Sequence, residues 1–425
     1  MKVLKFLKTN FHILVIVGSL SLMLYYVSYT KFDLRTHDIS GHLDYIKYLI
    51  DNKSIPKSDS CWQCYHPPLY YFVASLLYST LNSIKLNSDQ GLQYLSVLFS
   101  IVFVIFSYKT FTLVFKSRKP IIVATALVAF WPSVIMHSAR IGNDTLFYML
   151  FSIGYYTITL WWNTKRNLHL LFALIFANLA VLTKSNGIIL WAIVLLFVFM
   201  RLSFEKRIIH RIIAKLWVLI PIGITLGLLF VRKLLDPSMK SWPVGNIAGL
   251  PEMLRVGTEL KNFVYFDLQA FFNISFIDPW YDTGGRQYFW NYLLKSSLFG
   301  EFKFDDSPLW LINTLQIFLI GFIVLFLFLA VRKLIRFQPR YLIHLVAVCI
   351  LLLSLIYLRI TAPYSPSNDF RYILPVLIPF VAIVVSIIEE LQEKKKIVTI
   401  LIFSGLFAEF CILSINFFVL YGMSL

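Results

Sequence analysis

The chain of 425 residues is 58% hydrophobic and only 14% charged, with a mean hydropathy of +0.73. Soluble domains carry roughly a quarter charged residues, so this balance excludes a soluble globular protein and predicts an all-α polytopic membrane protein. The formal net charge of +17 implies no nucleic-acid partner, because the basic residues stand in short clusters between apolar segments, where they set orientation in the bilayer.

The chain opens on Lys2, Lys5 and Lys8 and continues as an apolar run of about 20 residues, without a small-residue cleavage pattern. A retained anchor helix is predicted over residues 11–30. Next comes a polar loop, residues 31–90, holding Asp38, His42, Asp44, Cys61, Cys64, His66 and a Pro-Pro-Leu-Tyr-Tyr run. Within it, residues 40–51 read as an amphipathic helix lying in the membrane interface. At 100° per residue, Leu43, Ile46 and Ile50 share its apolar face, Asp44, Lys47 and Asp51 a solvated one, and Asp38, His42 and Tyr45 a third. Pro67-Pro68 opens a second interfacial helix over residues 69–80.

Further spans are predicted at residues 91–115, 121–138, 144–162, 168–183, 187–201, 217–231, 308–331, 341–358, 371–388 and 397–421. With the anchor this makes about eleven, on the rule of about 20 apolar residues per helix. Basic clusters (Lys116, Arg118, Lys119; Lys165, Arg166; Arg201, Lys206, Arg207, Arg211, Lys215; Arg332, Lys333, Arg336, Arg340; Lys394, Lys395, Lys396) fall in alternate short connections. The positive-inside rule makes these cytoplasmic, which puts the N-terminus inside and the two long loops, residues 31–90 and 232–307, outside. The second loop is rich in aromatics and reads either as a lid or acceptor-binding surface or as a structural cap. The run Glu389 to Lys396 reads as a solvated cytoplasmic turn.

Ionisable groups beside a bilayer are costly and usually mark a working site. On the predicted outer side Asp38 stands with Arg140, Asp144, Lys184, Arg359 and Arg371. A carboxylate opposed by several cations at one membrane face suits a lipid-linked phosphate. If that lipid carries a sugar, Asp38 serves as base toward an acceptor hydroxyl and the cations steady the departing phosphate. Asp38 also suits an N-cap, Asn143-Asp144 suits a helix start, and Lys184 and Arg371 suit snorkelling to the interface. Cys61 and Cys64 suit a short-loop disulfide better than a zinc site, since a second ligand pair is missing.

The order of Asp38, a helix bearing His42 and Tyr45, His-Pro-Pro-Leu-Tyr-Tyr from His66, Arg-x-x-Asn-Asp from Arg140, Leu-Thr-Lys-x-Asn-Gly through Lys184, and Arg-Tyr-x-Leu-Pro from Arg371 resembles the GT-C membrane glycosyltransferases. The resemblance covers most of the chain. It is nearest the family 39, protein-mannosyltransferase-like and aminoarabinose-transferase-like group of phospholipid carrier-dependent enzymes. It implies one GT-C-type domain over residues 1–425 and an inverting transfer from a polyprenyl-phosphate sugar to an acceptor (glycan, lipid or protein) outside the cytoplasm. By the same resemblance Asp38 matches the catalytic base, Asp144 the acidic residue at the outer start of the fourth span, and Lys184 and Arg371 cations lining the lipid-phosphate cavity; His42, His66, Arg140 and Tyr372 are further candidates for the substrate site. His66 stands where some members have a lysine, and the Cys-x-x-Cys insert departs from their pattern. No cofactor is expected; a divalent metal is left open, the first outer loop having no Asp-x-Asp pair. A bacterial plasma membrane fits better than endoplasmic reticulum. The competing reading is a transporter or flippase, against which the predicted spans hold few charges, chiefly Lys109 and Glu409.

Overall fold

A computed structural model describes residues 2–203, 216–239, 250–304 and 307–422. The predicted cytoplasmic Lys206, Arg207, Arg211 and Lys215, residues 240–249 and 305–306 of the second predicted outer loop, and the side chains of Lys2, Lys5 and Lys8 lie outside the described residues.

The principal helices are α1 (Lys2–Tyr29), α2 (Ile39–Asn52), α3 (Leu69–Ser83), α4 (Ser88–Val114), α5 (Arg118–Ala129), α6 (Pro132–His137), α7 (Asp144–Thr164), α8 (Asn167–Thr183), α9 (Ile188–Ser203), α10 (Leu219–Leu235), α11 (Phe289–Phe299), α12 (Leu309–Ile335), α13 (Pro339–Thr361), α14 (Leu377–Glu393) and α15 (Ile397–Leu420). Among the described residues there is no strand, only a single bridge between Arg255 and Tyr364. Among the described residues eight helices are long and apolar enough to cross a membrane, against about eleven spans predicted, and α8 is an apolar helix of 17 residues. The protein is an all-α, multi-pass integral membrane protein.

Proline breaks two of the predicted spans. The segment over 121–138 stops at Ala129 and restarts as α6, because Trp131, placed before Pro132, is extended at φ −66°, ψ 128°; a residue preceding proline is pushed out of the helical region. The segment over 371–388 begins as short 3-10 turns around Pro375 and becomes α-helical only at Leu377. The two helices of the first predicted outer loop form close to their predicted bounds, but α2 buries a different face. Gly41, His42, Tyr45, Ile46 and Leu49 are buried, while Leu43 and Ile50 are only half-buried. Packing against α3, with the Tyr45 and Tyr71 rings stacked 3.8 Å apart, turns the histidine face inward.

The described chain forms two compact units. One comprises Met1–Arg35, Ser107–Ala139 and Leu250–Leu425; the other comprises Thr36–Phe106 and Arg140–Gly249. In the first unit the buried Trp131 donates its indole N–H to the Ser297 carbonyl at 2.7 Å and lies among Phe322, Phe380 and Phe410. At one end of α14, Glu389 accepts hydrogen bonds from the Lys116 amide, Arg340 and Tyr341 at 2.7–2.8 Å, and Lys333 and Arg332 pair with Glu390. The sequence suggests a solvated turn here, and Glu393–Lys396 are exposed, but Glu389 is buried, its carboxylate held by the Arg340 guanidinium, the Tyr341 hydroxyl and the Lys116 amide.

Candidate active site

The second unit gathers most of the predicted site residues. Its α7–α8 hairpin turns at Lys165, which takes φ 58°, so the start of α7 and the end of α8 lie side by side. Asp144 opens α7, and Lys184, extended at φ −153°, ψ 140°, closes α8 before the 3-10 turn Ser185–Gly187. The Lys184 ammonium donates to the Asp144 carboxylate, and the Arg140 Nε lies 3.6 Å from the other carboxylate oxygen. All three side chains are buried. Asn143 links the same two helix ends, its amide reaching the Thr183 carbonyl at 3.3 Å.

His42 reaches this cluster from α2. A Cβ at Gly142 would stand 3.1 Å from the His42 Nε2, so the imidazole sits tightly on the turn between Arg140 and Asp144 and would have to give way by a few tenths of an ångström to a larger residue there. The other ring nitrogen, Nδ1, shares a hydrogen bond of 2.8 Å with the Tyr71 hydroxyl. His66 lies beyond it, with ring planes within 2° of parallel and centroids 6.3 Å apart. Its buried Nδ1 has no hydrogen-bond partner among the described residues.

Asp38 occupies the N-cap position of α2 without making a side-chain cap bond; its Oδ1 instead accepts from the Trp62 indole at 3.3 Å. Asp38 is half-exposed, and His42 feels the charges of Asp38, Arg140, Asp144 and Lys184 together. Cys61 and Cys64 are joined as a disulfide. The remaining predicted residues, Arg371 and Tyr372, belong to the other unit. There Arg371 pairs with Asp369 at 3.1 Å and donates to the Tyr372 hydroxyl at 3.3 Å, and Tyr292, Glu301 and Asp369 complete a second buried polar group. Arg359 is fully buried, donating to the Gly257 carbonyl with its guanidinium 5.6 Å from the Phe263 ring centroid. Among the described residues no three His, Cys, Asp or Glu side chains gather as a metal site would need.

Two further residues of the site are not predicted from the sequence. Tyr71 orients His42, and Arg232, at the end of α10, donates to the carbonyls of His66 and Cys64 at 2.7 and 2.8 Å. The tyrosine stands out only as part of the run that follows the two prolines; nothing local marks the arginine, which sits 166 residues from its partner.

Burial lowers the His42 imidazole to about 4 from an ordinary 6.5, with Arg140 and Lys184 pushing the same way against Asp38 and Asp144, and burial holds His66 well below its usual value too. Both rings are therefore neutral near pH 7. Since the unfolded chain binds these protons more readily, the stability they contribute is present above pH 6.5 and is lost as the pH falls toward 4. For His42 the loss is about 1.4 kcal/mol per pH unit across that window, and His66 adds a loss of the same sign. The thermal midpoint of detergent-solubilised protein is expected to drop between pH 6.5 and 4.5, and to drop less in His42→Gln.

Residues 65–227 match the family described as dolichyl-phosphate-mannose-protein mannosyltransferase. A comparison with curated protein sequences finds no match. Among solved structures, the Archaeoglobus fulgidus oligosaccharyltransferase in its apo form superposes with a TM-score of 0.56 at 14% identity, over 97% of this chain and 56% of that one. The same protein, AglB, in complex with an inhibitory peptide and a dolichol-phosphate gives 0.54 at 13% identity, over 97% and 56%. ArnT from Cupriavidus metallidurans bound to undecaprenyl phosphate gives 0.44 at 13% identity, over 89% and 77%, too loose to argue from. The chain thus has the fold of the GT-C membrane glycosyltransferases. It spans just over half the length of the oligosaccharyltransferase it superposes on.

Proposed function

We propose that the protein is a glycosyltransferase that moves a sugar from a polyprenyl-phosphate donor to an acceptor hydroxyl on the extracytoplasmic side of its membrane. One observation carries this reading: His42, whose amide bonds to the carbonyl of the half-exposed Asp38 one turn earlier, lies against Gly142 beside the buried Arg140–Asp144–Lys184 cluster. In the proposed step Asp38 takes the proton of the acceptor hydroxyl as its oxygen attacks the anomeric carbon. The bond from that carbon to the phosphate oxygen breaks on the opposite face, inverting the centre and releasing polyprenyl phosphate. Arg140 and Lys184 place positive charge where the phosphate dianion develops, and the neutral His42 and His66 offer hydrogen bonds without adding charge.

The matched family's description, which names a dolichyl-phosphate sugar, supports the donor class. The GT-C fold supports lipid-linked transfer over transport, as does the placement of Lys109 and Glu409, both exposed on the surfaces of their helices. The direct test is to incubate the purified protein with a panel of undecaprenyl-phosphate monosaccharides and assay released undecaprenyl phosphate. Release from at least one donor, dependent on an acceptor extract, is expected. No release from any donor, alongside uptake of such lipids across proteoliposome membranes, would favour the transporter.

A further inference from the structure

The loop Cys61–Trp62–Gln63–Cys64 lies directly on the first turn of α2. A Cβ at Gly41 would come within 2.9 Å of the Gln63 Cγ, 3.0 Å of the Trp62 Cβ and 3.1 Å of the Gln63 backbone nitrogen. Glycine at 41 is therefore a condition of the loop's approach. On its far side the loop is held by Arg232, which donates to the carbonyls of Cys64 and His66. The disulfide closes the loop between these two anchors, with Cys64 fully buried.

Trp62 is the side chain that this arrangement presents. Trp62 is 40% exposed, so its apolar ring is only partly covered by the loop. Its indole N–H reaches back across 24 residues to the Asp38 Oδ1. A donor fixed on one carboxylate oxygen restricts rotation of the group and sets the direction from which the acid meets a proton, the task an orienting partner performs for a catalytic base. We infer that Trp62 is a positioning residue for Asp38, held in place by the Cys61–Cys64 disulfide, so that transfer depends on the oxidised loop. The inference rests on Asp38 being the base.

Trp62→Phe keeps an aromatic ring and removes the N–H. It is expected to lower kcat about tenfold while leaving the KM for the undecaprenyl-phosphate sugar unchanged, a split that a general loosening of the fold would not produce. Labelling of Asp38 by a water-soluble carbodiimide, read by peptide mass spectrometry, is expected to rise severalfold. Dithiothreitol, which reduces the Cys61–Cys64 bond to two thiols as it is oxidised to its cyclic disulfide, is expected to act in the same direction on the wild type. It should add nothing to Trp62→Phe. Unchanged kcat and unchanged labelling in Trp62→Phe, with Asp38→Asn inactive, would overturn the role of Trp62 and leave the proposed function standing. Full transfer in Asp38→Asn would instead remove the base; the labelling comparison then decides alone whether Trp62 holds that carboxylate.

Discussion

Asp38→Asn is expected to reduce sugar transfer by about 10²–10⁴-fold, the usual contribution of a positioned general base, in a protein that remains folded and inserted. Retention of the fold follows from how Asp38 is used. It stands at the N-cap of α2 but caps nothing with its side chain, and asparagine is as good at that position as aspartate. The amide oxygen can still accept from Trp62; what is lost is the capacity to take a proton. Asp44→Asn is the matched control, since Asp44 is exposed on a different face beside Lys47, and its activity is expected to stay at the wild-type level. Released polyprenyl phosphate measures the first effect, and gel filtration with circular dichroism measures the second. Wild-type turnover in Asp38→Asn would remove the proposed mechanism.

The contrast between Asp38 and Asp44 is legible in the residue order alone. A helical period of 100° per residue puts them on different faces, and α2 forms within a residue of its predicted bounds. Which face turns inward is not legible there. Leu43, Ile46 and Ile50 are the most apolar set, but Tyr45 stacks on Tyr71 and His42 bonds to its hydroxyl, and such pairings depend on where α3 returns. The apolar lengths locate eight of the predicted spans as helices long and apolar enough to cross a bilayer, because a bilayer demands them. They give the wrong continuity at Trp131–Pro132 and ahead of Leu377, where a missing amide and a crowded preceding residue outweigh apolarity. Composition likewise misleads at Glu389. A run of Glu and Lys reads as solvated, yet its first carboxylate is buried by Arg340, Tyr341 and the Lys116 amide, brought from 49, 48 and 273 residues away. At the site, the Arg-x-x-Asn-Asp and Thr-Lys-x-Asn-Gly motifs can be named individually. That the charged residues of the two pair with one another depends on the α7–α8 hairpin, a matter of packing that no local pattern encodes.

That pairing sets the largest expected effect on stability. Asp144 is the carboxylate between two buried cations, and Asp144→Asn keeps its volume while removing its charge. Breaking a buried pair by deleting one partner costs roughly 3–5 kcal/mol, because the remaining charge stays desolvated; at a helix N-terminus the lost carboxylate also forfeits its favourable interaction with the helix dipole. Lys184→Met is expected to cost less, since Arg140 still lies 3.6 Å from the Asp144 carboxylate to oppose it. The double variant, Asp144→Asn with Lys184→Met, should recover part of the loss by removing both members at once. Thermal melts of the four proteins in one detergent close the cycle, and the coupling between the two positions should be of the order of 1 kcal/mol or more. Strict additivity would mean that each side chain is stabilised independently of the other, and Lys184 would then be better described as a cation reaching for the interface. Coupling with a loss of transfer in the folded Lys184→Met protein would tie the same ammonium to both the hairpin and the phosphate. A cation held in place by a neighbouring carboxylate is already oriented when an anionic head group arrives, so the transfer site is expected to weaken with the hairpin that builds it.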